Sequence, residues 1–160
     1  MPQDACCITT DASTEYVTLT GTIPGPDLPR VMYGHAMVAI NSTCSMFIGG
    51  SEVRSYGYHY ASTFFYNHNE DELHYFGNWT NGPSLVQGRR YPAAGIVTDE
   101  VTDELFVVVT GGDVADLSVS AYVDLDSTEI LQDGNWVQGN INSATICYIF
   151  GKFTISEYFY

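Results

Sequence analysis

The stretch "LFVVVTGG" (105–112) is an apolar, β-branched run that stops at two adjacent glycines, and "SMFIGG" (45–50) has the same form. Glycine takes a positive φ at low cost and, because it has no Cβ, lets another backbone approach closely. We therefore predict that both runs are strands that end at sharp, crowded turns. The residues with this structural role are Gly49, Gly50, Gly111 and Gly112.

The double glycines belong to a repeat of about 57 residues. The stretch "HAMVAINSTCSMFIGG" (35–50) matches "PAAGIVTDEVTDELFVVVTGG" (92–112), which carries about five extra residues in its polar break. Trp79 and Trp136 are also 57 positions apart. Such self-similarity is the signature of a repeat architecture.

Each copy is predicted to contain four short strands, and no segment shows helical periodicity. The expected strands, taken in pairs from the two copies, are 31–40 and 93–98, 45–50 and 105–112, 62–67 and 127–131, and 73–79 and 135–139. The short break "QDG" (132–134) between the last two strands of the second copy predicts a tight hairpin at Asp133 and Gly134. Four strands in each repeat are typical of a β-propeller blade.

An earlier stretch, "STEYVTLTG" (13–21), is similar to "STEILQDG" (127–134). The chain therefore opens late in one repeat and then holds two nearly complete copies. The apolar, aromatic stretch after Trp136 lacks the polar lead-in and the small residue pair that the next copy should bring.

In these features the chain resembles the kelch-repeat β-propeller family. The double glycine after the second strand, the aromatics of "FFYN" (64–67) and the two tryptophans carry the resemblance, over about residues 13–140. It implies an all-β fold, an incomplete kelch-type β-propeller, with the tryptophans in equivalent core positions between blades. The expected divisions are a polar N-terminal segment 1–12, the end of a preceding blade 13–30, kelch blades 31–80 and 81–140, and an atypical C-terminal segment 141–160.

Two blades cannot close a propeller ring, which needs more of them. An open array leaves strand edges uncovered, and such edges favour self-association. We therefore expect either a fragment of a longer propeller or a chain that needs a partner array.

The charge of the chain restricts its partners. Asp and Glu outnumber Lys and Arg by 19 to 5, giving a net charge of −14, which repels nucleic acid and anionic lipid. No apolar run reaches membrane-spanning length, and the N-terminus does not resemble a signal peptide. A cytoplasmic location is favoured. The sequons at Asn41 and Asn78 leave secretion as an alternative.

The cysteines are not spaced as metal or redox motifs are, and we interpret them as free thiols; they are Cys6, Cys7, Cys44 and Cys147. The acidic stretches near His68 and at 98–104 are typical of solvated hairpin loops. No Gly-flanked serine elbow or Cys–His pairing is visible, and "SEVRSYGY" (51–58) offers neither the helix nor the lysine of a phosphate loop. No catalytic residue, metal or cofactor is predicted.

Kelch domains commonly bind other proteins through the loops between strands, and the corresponding loops here are 51–61 and 113–126. Tyrosine, histidine and arginine bury much area with few frozen torsions, which suits an interface, although tyrosine beside a strand also often covers a blade edge. The candidate binding residues are Arg54, Tyr56, Tyr58, His59, Tyr60, Asp113 and Asp116.

The resemblance implies a non-enzymatic protein-binding module whose protein partner the sequence does not identify. A secreted carbohydrate-binding or adhesion module is the alternative, which a glycan mass shift would favour. A fragment of a copper-type oxidase, with Tyr and His ligands, is a third hypothesis, which bound copper would support.

Overall fold

The computed structural model describes residues 11–52, 59–68, 77–98 and 102–139, and these contain twelve β-strands and no helix. The strands are β1 (Glu15–Thr18), β2 (Gly21–Pro24), β3 (Ala36–Asn41), β4 (Cys44–Ile48), β5 (Thr63–Asn67), β6 (Asn78–Asn81), β7 (Ala93–Thr98), β8 (Leu105–Thr110), β9 (Asp113–Asp116), β10 (Ala121–Asp124), β11 (Thr128–Gln132) and β12 (Asn135–Gly139).

The strands form two four-stranded antiparallel sheets and two hairpins. The first sheet has the order β3-β4-β5-β6, a meander of consecutive strands, and the second has the order β7-β8-β11-β12. The β9–β10 hairpin is inserted between the second and third strands of the second sheet, and β1–β2 is a separate hairpin. The fold is therefore all-β and propeller-like, as the repeat predicts.

Alternation of side chains along β4 shows why these segments become strands. Met46 and Ile48 are fully buried on one face, whereas Phe47 between them points to the other face and packs on Trp79 with ring centroids 4.8 Å apart. Successive side chains of a strand point to opposite faces, so a continuous apolar run suits a strand that packs on both sides. Each face of the first sheet therefore buries apolar side chains.

The main hydrophobic core draws on both sheets, which meet where β3 contacts β7. Burial of apolar area at this junction is the main favourable contribution to holding the two sheets together. The buried members of the core are Val38, Met46, Ile48, Leu85, Val107, Val109 and Trp136.

The four glycines of the repeat all have positive φ, between 63° and 100°. The second glycine of each pair also lies against the segment that precedes the first strand of its own sheet. A Cβ on Gly50 would lie 3.0 Å from the Tyr33 carbonyl oxygen, and a Cβ on Gly112 would collide with the Arg90 carbonyl oxygen. Glycine is required here by both backbone conformation and close approach.

The β1–β2 hairpin repeats contacts of the first sheet. The Thr14 hydroxyl donates to the Pro26 carbonyl oxygen at 2.8 Å, and the Thr63 hydroxyl makes the same contact with the Pro83 carbonyl oxygen at 2.7 Å. The two acceptors, Pro26 and Pro83, are 57 positions apart. The hairpin therefore corresponds to the third and fourth strands of a repeat, in agreement with the similarity between 13–21 and 127–134.

The tight turn is confirmed: Asp133 and Gly134 both have positive φ, and Gln132 pairs with Asn135. Three details differ from the sequence prediction. The first strand of the first copy begins at Ala36, because the lead-in before it forms only a bridge between Tyr33 and Ser51. The 113–126 stretch is a hairpin rather than an irregular loop.

The third difference concerns the tryptophans. Trp136 is buried, with 5% of its surface exposed, but Trp79 is only half-buried. Trp79 lies against the β1–β2 side, where its indole N–H donates to the Pro26 carbonyl oxygen at 3.1 Å. The indole nitrogen of Trp136 has no hydrogen-bond partner within the described part of the chain. Their surroundings therefore differ although their repeat positions match.

Candidate functional site

An ion pair between Arg90 and Asp113 organises one end of the second sheet. The two backbones form a bridge, with hydrogen bonds of 3.0 and 2.8 Å between their amide and carbonyl groups. The guanidinium then donates from Nε and Nη2 to the two carboxylate oxygens, each at 2.9 Å. A bidentate pair of this kind fixes the arginine in one orientation. The hydrogen bond that Arg90 donates to Asp113 is the main reason why the pKa of Arg90 is raised, so this side chain is a permanent cation.

Three tyrosine rings surround the guanidinium. Its central carbon lies 3.7 Å from the ring centre of Tyr122, 5.0 Å from that of Tyr91 and 5.9 Å from that of Tyr33, and its Nη1 donates to the Tyr33 hydroxyl at 3.1 Å. Arginine is attracted to aromatic faces by the ring quadrupole.

His59 extends this group from the first sheet. Its ring packs edge-on against Tyr122 with centroids 5.8 Å apart, and neither ring nitrogen has a hydrogen-bond partner among the described residues. Burial lowers the pKa of His59; the positive charge of Arg90 lowers it further, and Asp113 opposes the shift. The imidazole is therefore neutral at pH 7. We call the group formed by Tyr33, His59, Arg90, Tyr91, Asp113 and Tyr122 the Arg90 cluster.

Two rings of the Arg90 cluster are open to solvent on one side. Tyr91 is 52% exposed and Tyr122 is 40% exposed. The position of Tyr91 depends on an unusual backbone, since its φ is +52° and its N–H donates to the Gly34 carbonyl oxygen at 2.6 Å. A positive φ at a bulky residue is rare and is held only by surrounding structure. The surrounding structure thus fixes the backbone position from which the exposed ring projects.

A smaller group of similar composition lies on the first sheet. The Arg30 guanidinium lies 4.5 Å from the ring centre of Tyr60 and 5.7 Å from that of Phe64. The Tyr60 hydroxyl donates to Glu52 at 3.4 Å, and burial, then the negative charge of Glu52, raise the pKa of Tyr60. Both sheets thus place an arginine over aromatic rings.

The residues predicted from sequence are divided by the structure. His59 and Asp113 come together in the Arg90 cluster, and Tyr60 lies in the neighbouring group. Asp116 is separate, because its carboxylate accepts from the Ser118 amide and hydroxyl and so closes the β9–β10 turn. Arg54, Tyr56 and Tyr58 lie outside the described residues.

Sequence reasoning missed four members of the cluster: Tyr33, Arg90, Tyr91 and Tyr122. One signal was present in "RRY" (89–91), which holds two of the five basic residues of this acidic chain. Isolated cations in such a chain are expected to have specific acidic or aromatic partners. Tyr33 and Tyr122 carried no comparable signal, since each is one of twelve tyrosines.

The described residues contain no group of three or more His, Cys, Asp or Glu side chains arranged to hold a metal ion. They also contain no helix that is long and apolar enough to cross a membrane. The Cys44 thiol is free, while the other three cysteines lie outside the described ranges. What the Arg90 cluster offers is a fixed cation, exposed rings with hydroxyl groups and a neutral imidazole.

A scan against models of protein families and a search of curated proteins found no match to this chain.

Proposed function

We propose that the chain is a non-enzymatic protein-binding module of the kelch type, and that the Arg90 cluster is the centre of its binding surface. The supporting observation is the convergence of three tyrosine rings on the Arg90–Asp113 ion pair, with the Tyr91 and Tyr122 rings exposed. Tyrosine and arginine are the residue types that most often dominate binding energy at protein interfaces.

The rigidity of the cluster supports the same proposal. Arg90 and Asp113 are held by two backbone and two side-chain hydrogen bonds, so their geometry does not need to be ordered when a partner arrives. Preorganised groups lose less conformational entropy on association. A partner would therefore gain aromatic contact area at a low entropic cost.

A peptide-display selection tests the proposal. Random peptides would be selected on the wild-type chain, and the affinities of the enriched peptides would be measured for the wild type, Tyr122→Ala and Val123→Ala. Tyr122 and Val123 are adjacent on β10 and similarly exposed, at 40% and 44%, but they point to opposite faces.

We expect Tyr122→Ala to weaken binding by about tenfold or more, as truncation of an interface hot spot does, and Val123→Ala to leave it unchanged. Thermal melts of all three proteins would show that they are folded. Enriched peptides that bind Tyr122→Ala as tightly as the wild type, or the absence of specific peptides, would contradict the proposal.

The exposure of both sequon asparagines favours the secreted carbohydrate-binding or adhesion module as a second candidate. Asn41 lies at the turn between β3 and β4 and Asn78 at the start of β6, and both are exposed. Expression through a secretory pathway followed by mass spectrometry tests it. Glycans on these residues would support this candidate, and an unmodified secreted chain would count against it.

A further inference from the structure

A pocket of about 370 Å³ lies where β7 and β8 meet the β9–β10 hairpin. Its walls include the exposed ring of Tyr91, the glycine pair Gly111 and Gly112, and the strand end formed by Asp124 and Leu125. We call this pocket the second-sheet slot. It adjoins the Arg90 cluster but reaches beyond it to Asp124.

The equivalent position on the first sheet is filled by the chain itself. The Gly50 amide donates to the Arg89 carbonyl oxygen at 2.8 Å, and a Cβ on Gly49 would lie 2.6 Å from that oxygen. The segment 87–91 therefore lies against the first double glycine as an extended insert. It is the lead-in to the second sheet.

The two positions correspond residue by residue. Tyr60 donates its amide proton to the Gly50 carbonyl oxygen at 2.7 Å, and Leu125 does the same to Gly112 at 2.8 Å. Tyr60 thus corresponds to Leu125, and the residue before it, His59, corresponds to Asp124. The bridge partners agree, since Ser51 pairs with His59 and Asp113 pairs with Asp124.

No insert fills the second-sheet slot within the described part of the chain. Among the described residues, a Cβ on Gly111 would meet only the Leu125 carbonyl oxygen, at 3.7 Å. The Gly112 amide has no acceptor among the described residues, whereas the corresponding Gly50 amide is bonded to Arg89. A backbone donor therefore points to a site that an extended segment occupies on the first sheet.

The charge of the second-sheet slot selects a cation. Asp113 and Asp124 lie directly opposite each other on β9 and β10, and like charges in that relation destabilise the pair. Arg90 neutralises Asp113, while the Asp124 side chain has no ion-pair partner among the described residues. A second cation would give Asp124 a counter-ion, as Arg90 does for Asp113.

The equivalent position on the first sheet, which the segment 87–91 occupies, indicates which residue of an inserted segment would supply that cation. There, the inserted segment brings Arg90 onto the ring of Tyr122, which in turn packs on His59. In the second-sheet slot Asp124 corresponds to His59. Its carboxylate would attract an arginine placed as Arg90 is in the first sheet, whereas the neutral imidazole of His59 does not attract Arg90. The exposed Tyr91 ring offers the same slot an aromatic surface for a guanidinium.

We propose that the second-sheet slot binds an extended segment of a partner protein, with an arginine at the position that Arg90 holds in the segment 87–91. The carbonyl of the residue before that arginine accepts from the Gly112 amide, and the guanidinium pairs with Asp124. This inference rests on the proposed protein-binding function and specifies the chemistry of the partner. A second copy is a poor occupant, since it carries the same charge of −14 and its own 87–91 segment contains the fully buried Arg89.

Synthetic peptides test the proposal on the full chain. The probe is QGRRYPA, the sequence of residues 87–93, and the first control replaces its second arginine with citrulline, which keeps the shape but removes the charge. The second control is RVMYGHA, the sequence of residues 30–36, which has tyrosine at that position. Binding would be followed by amide chemical shifts in titrations of the wild type, Asp124→Asn and Asp126→Asn, the last being an exposed aspartate outside the pocket walls.

We expect QGRRYPA to shift the amide resonances of Gly112 and Leu125, and both controls to bind about tenfold more weakly or not at all. Asp124→Asn should weaken QGRRYPA about tenfold and Asp126→Asn should not, because only Asp124 contacts the guanidinium. Undetectable binding, equal binding of the citrulline peptide, or unchanged affinity for Asp124→Asn would overturn the proposal. So would light scattering that shows a dimer of the wild type and a monomer of Asp124→Asn, which would mean that a second copy fills the slot.

These outcomes separate the two proposals. If display-selected peptides depend on Tyr122 but not on Asp124, the Arg90 cluster is a binding surface and the second-sheet slot is not part of it. If they depend on neither residue, the proposed function fails as well.

Discussion

Arg89 and Glu129 form an ion pair of 2.7 Å in which the two side chains are 0% and 2% exposed. Arg89 also donates to the carbonyl oxygens of Gly111 and Ser127 at 2.9 and 3.0 Å. Glu129 accepts from the amides of Val86 and Gln87, in the connection between the two sheets. The pair therefore ties this connection to the middle of the second sheet.

Removing the cation of this pair should strongly destabilise the fold. Met32 occupies the position in the first copy that corresponds to Arg89. The variant Arg89→Met therefore introduces a side chain that the repeat already carries at this position. It leaves a buried carboxylate without its counter-ion, so we expect the free energy of unfolding to fall by about 3 kcal/mol or more. Urea denaturation would measure the loss. The exposed variant Glu104→Gln is the control, and a change below about 1 kcal/mol in Arg89→Met would contradict the prediction.

The second glycine of each pair should be less replaceable than a glycine in an open turn. Gly112→Ala and Gly134→Ala both force a positive φ on alanine, which costs about 1–2 kcal/mol. A Cβ on Gly112 also collides with the Arg90 carbonyl oxygen and the Pro92 nitrogen, whereas the space beside Gly134 is open. We expect Gly112→Ala to lose at least about 1 kcal/mol more than Gly134→Ala, because backbone atoms cannot easily move aside. Equal losses in chemical denaturation would show that the close approach is unimportant.

Replacing Arg90 with lysine should weaken the fold although the charge is kept. Lysine cannot make the bidentate contact with Asp113 or stack its flat group on Tyr122. The pair is partly exposed, at 11% and 17%, so we expect a loss of about 1–2 kcal/mol, together with weaker peptide binding. Thermal unfolding and the display-derived peptides would measure both effects. Wild-type stability in Arg90→Lys would mean that the geometry of the guanidinium does not matter.

Acidification should destabilise the protein before its carboxylates titrate. Burial lowers the pKa of His35, and burial and then Arg90 lower that of His59, from an ordinary value of 6.5. The unfolded chain then binds protons more readily than the folded one. Stability is therefore complete above about pH 7 and declines as the pH falls below about 6.5.

Melting temperatures between pH 5.5 and pH 8 would measure this decline. In the double variant His35→Gln/His59→Gln the curve should be flatter over that range, because neither replacement titrates. A double variant with the same pH dependence as the wild type would assign the decline to other groups.

The strand pattern of this protein was readable from its sequence because the relevant interactions are local. The apolar runs around Met46 and Val108, the paired glycines and the Asp133–Gly134 turn each depend on alternation or on φ, which neighbouring residues set. The 57-residue spacing then identified equivalent elements. The β9–β10 hairpin was missed, because two four-residue strands joined by a turn are too short to show period-two alternation clearly.

The sites were decided by contacts between residues far apart in the chain. His59 and Asp113 could be proposed from their loops, but only the antiparallel bridge between Arg90 and Asp113 makes an arginine their common neighbour. Likewise, "RR" at 89–90 does not reveal that one arginine is buried against Glu129 while the next is surrounded by tyrosines. Most strands, the tight turn and the repeat could be predicted from the sequence, because their energetics are local. Which side chains meet depends on the tertiary structure, because successive residues of an extended chain point in opposite directions and find their partners on other strands.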